Sequence, residues 1–177
     1  MIRYIYIILL LLSAAVFFSC GKSEDPTVDE GWKSTNEEMF AALTYKSEYS
    51  RIMSESNMGH IYYKVLKEGT GTLVPYYTDT VKVYYTGSLI TDSIFDSAEP
   101  PYKPPLQNVT SGFIDGFTTA LQHMRTGDRW EIWIPQELGY GTVAQTGSTG
   151  KTSIPAYSTL KFEIELVSVK RKGTWVQ

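Results

Sequence analysis

GFIDGFTTALQHMRTGDRWEIWIP, residues 112–135, changes its period halfway along. Phe117, Leu121 and Met124 stand four and three apart, the spacing of one helix face, and Gly127 sits where a helix would be terminated. Directly beyond, Trp130, Ile132 and Ile134 alternate with Arg129, Glu131 and Trp133 as far as Pro135. That alternation is the mark of a strand burying one face. A short helix running into a half-buried strand predicts that the two share one core.

The same period of two recurs on both sides. Ile61, Tyr63 and Val65 alternate with Tyr62, Lys64 and Leu66 before Gly69-Thr70-Gly71 turns the chain. Val81, Val83 and Tyr85 alternate with Lys82 and Tyr84 up to Thr86-Gly87, and Leu160, Phe162, Ile164 and Leu166 alternate with Lys161, Glu163 and Glu165. Charged residues on one face only mark antiparallel strands. The expected fold class is therefore α+β, an antiparallel sheet wrapped on one short helix. Upstream, Thr35-Asn36-Glu37-Glu38 reads as a capped helix start. Met39, Phe40, Leu43 and, less regularly, Ile52 and Met53 carry that helix to about residue 55, where Asn57-Met58-Gly59 breaks it. The expected organisation is a flexible tether over 21–35, an N-terminal helical extension over 36–57 and a main domain over 58–172.

Residues 1–20, MIRYIYIILLLLSAAVFFSC, read as a signal peptide. Arg3 precedes an apolar run from Tyr4 to Phe18 that is shorter than the ~20 residues a membrane-spanning helix needs. Cys20 is the only cysteine, so no intramolecular disulfide forms. Its place behind small Ser19 resembles the bacterial lipoprotein box, which implies lipidation of Cys20 and attachment to a membrane through the lipid. The polar GKSEDPTVDEG that follows suits a tether, and its Ser-Glu-Asp run resembles the export tag of some Bacteroidetes surface lipoproteins. The expected location is the cell envelope, as an outer-membrane lipoprotein, periplasmic or surface-exposed.

Several chemistries lack their residues. Net charge is −3 and no Lys/Arg stripe exists, which removes the footprint of a nucleic-acid binder. The GKT of QTGSTGKTS (145–153) has Gln145 where a phosphate-binding loop needs glycine, and Pro155 and a strand follow instead of a helix. His60 and His123 are the only histidines and share no ligand spacing, so no metal site is expected; His123 reads as a surface or capping residue. No nucleophile elbow or Ser–His–Asp spacing appears. No cofactor is called for.

What remains is aromatic and branched. Tyr85-Thr86-Gly87 is followed by Phe95-Asp96-Ser97, then by Gly112-Phe113-Ile114-Asp115-Gly116-Phe117 at the mouth of the helix. Leu138-Gly139-Tyr140-Gly141 follows the Trp130 strand, and Ile154-Pro155 precedes the strand that holds Phe162. In this order and spacing, over roughly residues 60 to 170, the chain resembles the FKBP-type peptidyl-prolyl isomerases.

The resemblance implies five or six antiparallel strands curled around one helix, with a pocket between them. It implies that Tyr85, Phe95, Asp96, Tyr140 and Ile154 act on the substrate. Tyr140 would offer its hydroxyl and Ile154 its backbone amide to a substrate carbonyl, and Asp96 would border the pocket. Phe113, Ile114, Phe117 and Phe162 would bind substrate, Phe117 where the family usually has a tryptophan floor. Proline-containing peptides and folding envelope proteins are the implied partners, with macrolide ligands of the family as further candidates. The segment PPYKPPLQNV (100–109) is proline-heavy where the family supplies another aromatic wall, near Pro104 to Leu106. The loop from Gly141 to Ile154 is longer than in the smallest members, long enough for a flap. Two functions stay open: a prolyl isomerase assisting the folding of envelope proteins, or a catalytically weak peptide-binding or chaperone module on the same fold.

Overall fold

The computed structural model describes residues 28–101, 103, 105–147 and 152–176. The expected signal peptide, Cys20 and the first part of the tether lie outside the described residues. In chain order the elements are α1 (Glu30–Ala42), β1 (Ser50–Met53), β2 (His60–Lys67), β3 (Thr80–Leu89), β4 (Ile94–Ala98) and β5 (Leu106–Val109). Then come α2 (Asp115–Leu121), β6 (Arg129–Ile134), β7 (Gln145–Thr146), β8 (Thr152–Ile154), β9 (Leu160–Arg171) and β10 (Thr174–Val176).

Six strands form one antiparallel path in the order β1-β2-β6-β9-β3-β4, with β5 added on β3 and β10 on β9. β7 and β8 make a separate two-stranded hairpin. The length of β3 lets β4 and β5 share one of its edges, Tyr85–Ser88 pairing with β4 and Thr80–Val83 with β5. The alternating residues do what their period demands. Ile61, Val81, Ile132, Ile134, Ile164 and Leu166 are fully buried, and Leu121 and Met124 from α2 and the turn after it close the same core. The helix lies close because Gly116 has no side chain: a Cβ there would meet Ile134 Cγ2 at 2.4 Å.

The second face of the sheet is less solvated than its charges suggest. Tyr62 and Trp133 point to it and are buried with Leu43, while Phe40, Tyr49 and Ile90 pack around them. The N-terminal extension supplies this cover.

That extension corrects the sequence reading. The helix starts at Glu30, because the Asp29 carboxylate already accepts the Trp32 amide at 2.9 Å and so caps the first turn. Thr35, expected as the cap, lies inside the helix and donates to Gly31 O. Residues 30–35 thus belong to α1 and not to the tether. The helix ends at Ala42, and Ile52 and Met53 stand in β1, paired with Ile61 and His60. Asn57-Met58-Gly59 is the turn of a β-hairpin, closed by Ser54 N donating to Gly59 O. A helix over 36–57 fails because Ile52 completes the sheet edge instead of extending a thin apolar stripe. α2 is likewise shorter than its pattern, ending at Leu121. His123 Nδ1 meets Thr119 O at 2.9 Å in the last turn, and Gly127 serves a later turn at φ +88°.

Candidate active site

The core opens on one side into a cleft of about 590 Å³. It brings together all nine residues singled out in the main domain: Tyr85, Phe95, Asp96, Phe113, Ile114, Phe117, Tyr140, Ile154 and Phe162. β3 delivers Tyr85, β4 delivers Phe95 and Asp96, the approach to α2 delivers Phe113 and Ile114, and β9 delivers Phe162. Tyr140 follows a 3-10 turn over Gln136–Leu138, and Ile154 ends β8.

The depth of the cleft is an aromatic box. Phe117, buried at its base, stacks on Phe113 with centroids 4.6 Å apart. It meets Tyr85 and Phe162 edge-on at 6.0 and 5.3 Å. Phe95 stands edge-on to Phe162 at 5.5 Å. Such edge-to-face contacts fix ring planes beyond what area burial alone would do. Gly87 makes the arrangement possible: a Cβ there would lie 2.6 Å from Phe162 and 2.7 Å from Phe95. Its partners across the sheet are Phe162 and Asp96, one residue past Phe95, so both rings converge over this position.

Polar groups ring the box. Tyr85 donates its hydroxyl to Asp96 Oδ2 at 2.5 Å, and Asp96 Oδ1 accepts from Ser97 N at 2.8 Å. Both carboxylate oxygens are therefore engaged by neighbours. Burial, and then the Asp96 charge, push the Tyr85 and Tyr140 phenols above their ordinary range. Both tyrosines consequently remain O–H donors at neutral pH. Tyr140 lies at the rim and is partly exposed.

Sequence reasoning missed five lining residues: Leu106, Asn108, Gly112, Gln145 and Ser153. Leu106 ends the proline-heavy stretch in which the resemblance implies an aromatic wall. Asn108 is spent on the backbone, donating to Gly112 O and accepting from Val109 N. Gln145 and Ser153 belong to the long loop, within which β7 and β8 pair as a two-stranded sheet. Two-residue strands carry no periodic signal. Among the described residues no cluster of three metal-ligating side chains occurs.

A sheet wrapped on one helix, opening into an aromatic cleft of this order, is the architecture of a prolyl isomerase domain. Residues 73–167, more than half of the chain, match the family model described as FKBP-type peptidyl-prolyl cis-trans isomerase, and the chain belongs to that family. It is 43% identical over 109 residues to the outer membrane protein MIP of Legionella longbeachae, covering 62% of this chain and 44% of that one. It is 41% identical over 107 residues to the FKBP-type 22 kDa peptidyl-prolyl cis-trans isomerase of Escherichia coli strain K12, covering 60% and 48%. Among solved structures, a peptidyl-prolyl cis-trans isomerase from Pseudomonas syringae pv. tomato superposes with a TM-score of 0.65 at 29% identity, over 80% of this chain and 96% of that one. The chain spans about half the length of the two relatives matched by sequence.

Proposed function

We propose that this chain catalyses cis–trans rotation about peptidyl-prolyl bonds in the aromatic cleft. The observation that carries the reading is the cleft's composition: a box of Phe95, Phe113, Phe117 and Phe162 whose rim carries the Tyr140 phenol and a carboxylate engaged by Tyr85. Rotation of an X–Pro bond faces a barrier of ~18–20 kcal/mol, because amide resonance must be broken. No covalent bond is made or cleaved, so neither a nucleophile nor a base is required. A planar amide has a larger dipole than a twisted one, and an apolar box disfavours the planar ground state relative to the twisted transition state. Donors fixed at the rim hold the substrate carbonyl while the prolyl ring turns; Tyr140 and the Ile154 amide take this role. Lowering the barrier by about 4 kcal/mol suffices for roughly a thousandfold acceleration.

A protease-coupled assay on proline-containing peptides tests the reading. Phe95→Ala and Tyr140→Phe are each expected to lower kcat/KM by about tenfold or more while the fold persists. Parent protein that binds such peptides but exchanges them at the uncatalysed rate would leave only the peptide-binding module. Competition by a macrolide ligand of the family would mark the same cleft as the binding site.

The envelope is the natural place for this activity, a reading supported by the name of the Legionella relative and by the apolar run from Tyr4 to Phe18 ahead of Cys20. Attachment runs through a lipid on Cys20, with folding envelope proteins as clients. Among the described residues no helix is long and apolar enough to cross a membrane. Cys20→Ser is expected to move the protein from the membrane to the soluble fraction, and unchanged fractionation would reject lipidation.

A further inference from the structure

Asn36 is a costly choice for its position. It lies inside α1, fully buried, although asparagine is a weak helix former and a buried amide is unfavourable unless its polar atoms are paired. Its bonds show what it is paired with. Asn36 Oδ1 accepts from Thr159 N at 2.8 Å, its main-chain oxygen accepts from Thr159 Oγ1 at 3.2 Å, and Nδ2 donates to Trp32 O at 2.8 Å. One turn earlier, Trp32 Nε1 donates to Ser158 Oγ at 3.1 Å, and Ser158 Oγ donates to Pro155 O at 2.6 Å. Lys33 places its ammonium 4.9 Å from the Tyr157 ring centroid.

All of these contacts with the rest of the domain end on residues 155–159, the turn between Ile154 and β9. Tyr157 within that turn adopts φ +61°, a conformation that non-glycine residues hold only when their surroundings fix it. Its amide donates to Gly141 O at 2.8 Å, so the turn is also fastened to the residue after Tyr140. The two rim elements offered to the substrate carbonyl, Tyr140 and Ile154, thus share one support, and that support is held by α1. The helix lies outside the segment matched by the family model.

We propose that Asn36 and Trp32 are positioning residues of the isomerase site, through which α1 sets the Tyr140 and Ile154 rim. The inference rests on the cleft being the peptide site. Displacements of about 1 Å at such a site carry large kinetic costs, so a loosened support is felt by the substrate and not only by stability.

The experiment uses the full chain with Asn36→Ala and Trp32→Phe, the second of which keeps an aromatic ring in place and removes the donor to Ser158. KM for a proline peptide is expected to rise about tenfold in the first and about threefold in the second. Amide shift changes should concentrate at Gly141, Ile154 and Tyr157, with kcat nearly unchanged. Val169→Ala, which destabilises the far end of β9, serves as the control and should leave KM alone. KM and amide shifts like the parent's in both variants, or an equal KM rise in Val169→Ala, would overturn the proposal. If Asn36→Ala does not fold, Trp32→Phe decides. If the parent binds peptide without isomerising it, the catalytic reading fails, and peptide Kd in the same variants still tests the positioning role.

Discussion

Replacing Gly87 by alanine adds one methyl group at the point where the walls of the cleft converge. The new Cβ would stand 2.6 Å from Phe162 Cε1 and 2.7 Å from Phe95 Cε2. Carbon atoms prefer ~3.5–4.0 Å, so each ring must retreat by about 1 Å. Neither has free room. Phe162 is buried and its backbone is paired with Gly87 in the sheet, while Phe95 already stands against Phe162. Overpacking of this kind costs about 1–3 kcal/mol. For a domain of this size 1 kcal/mol corresponds to ~2–4 °C in Tm, so a cost near the middle of that range lowers Tm by about 4–8 °C. On the proposed isomerase function the rings that move are the walls that meet substrate, and kcat/KM in the protease-coupled assay should fall by about tenfold to a hundredfold. Gly59→Ala is the matched control: φ there is +148° and a Cβ would meet nothing within 4 Å, so it introduces backbone strain without crowding. It should lower Tm and leave catalysis intact. Gly87→Ala with unchanged Tm and an unchanged rate would refute the assignment of both rings to a packed wall.

Other consequences follow from the charges. Because burial and Asp96 raise the Tyr85 and Tyr140 phenols above their ordinary 10.0, the neutral form is favoured by folding. The associated stability is complete below pH 10 and drains away as pH rises through the elevated values; thermal unfolding across alkaline pH reads this directly. The pH–rate profile should accordingly be flat through neutrality, and Asp96→Asn should lower activity modestly without adding an ionisation; a new inflection near neutrality would restore proton transfer as a mechanism. Away from the cleft, Asp79 is buried, and burial alone would raise its carboxyl. The Arg171 guanidinium and the Tyr76 amide outweigh that and hold it below the ordinary 3.8. Its contribution to stability is present above that value and is lost as pH falls through the lowered one. Arg171→Ala strands the buried carboxylate and should cost about 2–3 kcal/mol by denaturant titration, below the full cost for a buried pair because the arginine is partly exposed.

The long strands were legible because alternation sustained over six or more residues seldom arises except in a half-buried strand, and Arg129–Ile134 and Leu160–Leu166 stand where their period places them. The cleft residues were legible from family order; periodicity alone would have left Phe162 and Ile114 as ordinary core. The N-terminal extension was misread for a specific reason. Its inward face runs Trp32, Asn36, Phe40, Leu43, and the polar residue at its centre breaks the apolar stripe that betrays a helix. Only the partner, Thr159, accounts for that asparagine, and it lies 123 residues away in the chain. β1, with four residues, and the two-residue β7 fall below the length at which alternation can be recognised.

β1 has a consequence for the colloidal behaviour of the protein. It is the outermost strand, and it covers β2, whose Val65 and Leu66 are exposed while Tyr63 and Ile61 face inward. Without β1, the eight-residue β2 would offer a long unpaired backbone edge to any other copy. With it, the His60–Tyr63 half of that edge is paired, and the strand outside it is Ser50–Met53, a short stretch that carries a serine and an arginine. So small an addition to the sheet is thus a guard against strand-by-strand polymerisation, a hazard that grows when many copies are concentrated on one surface.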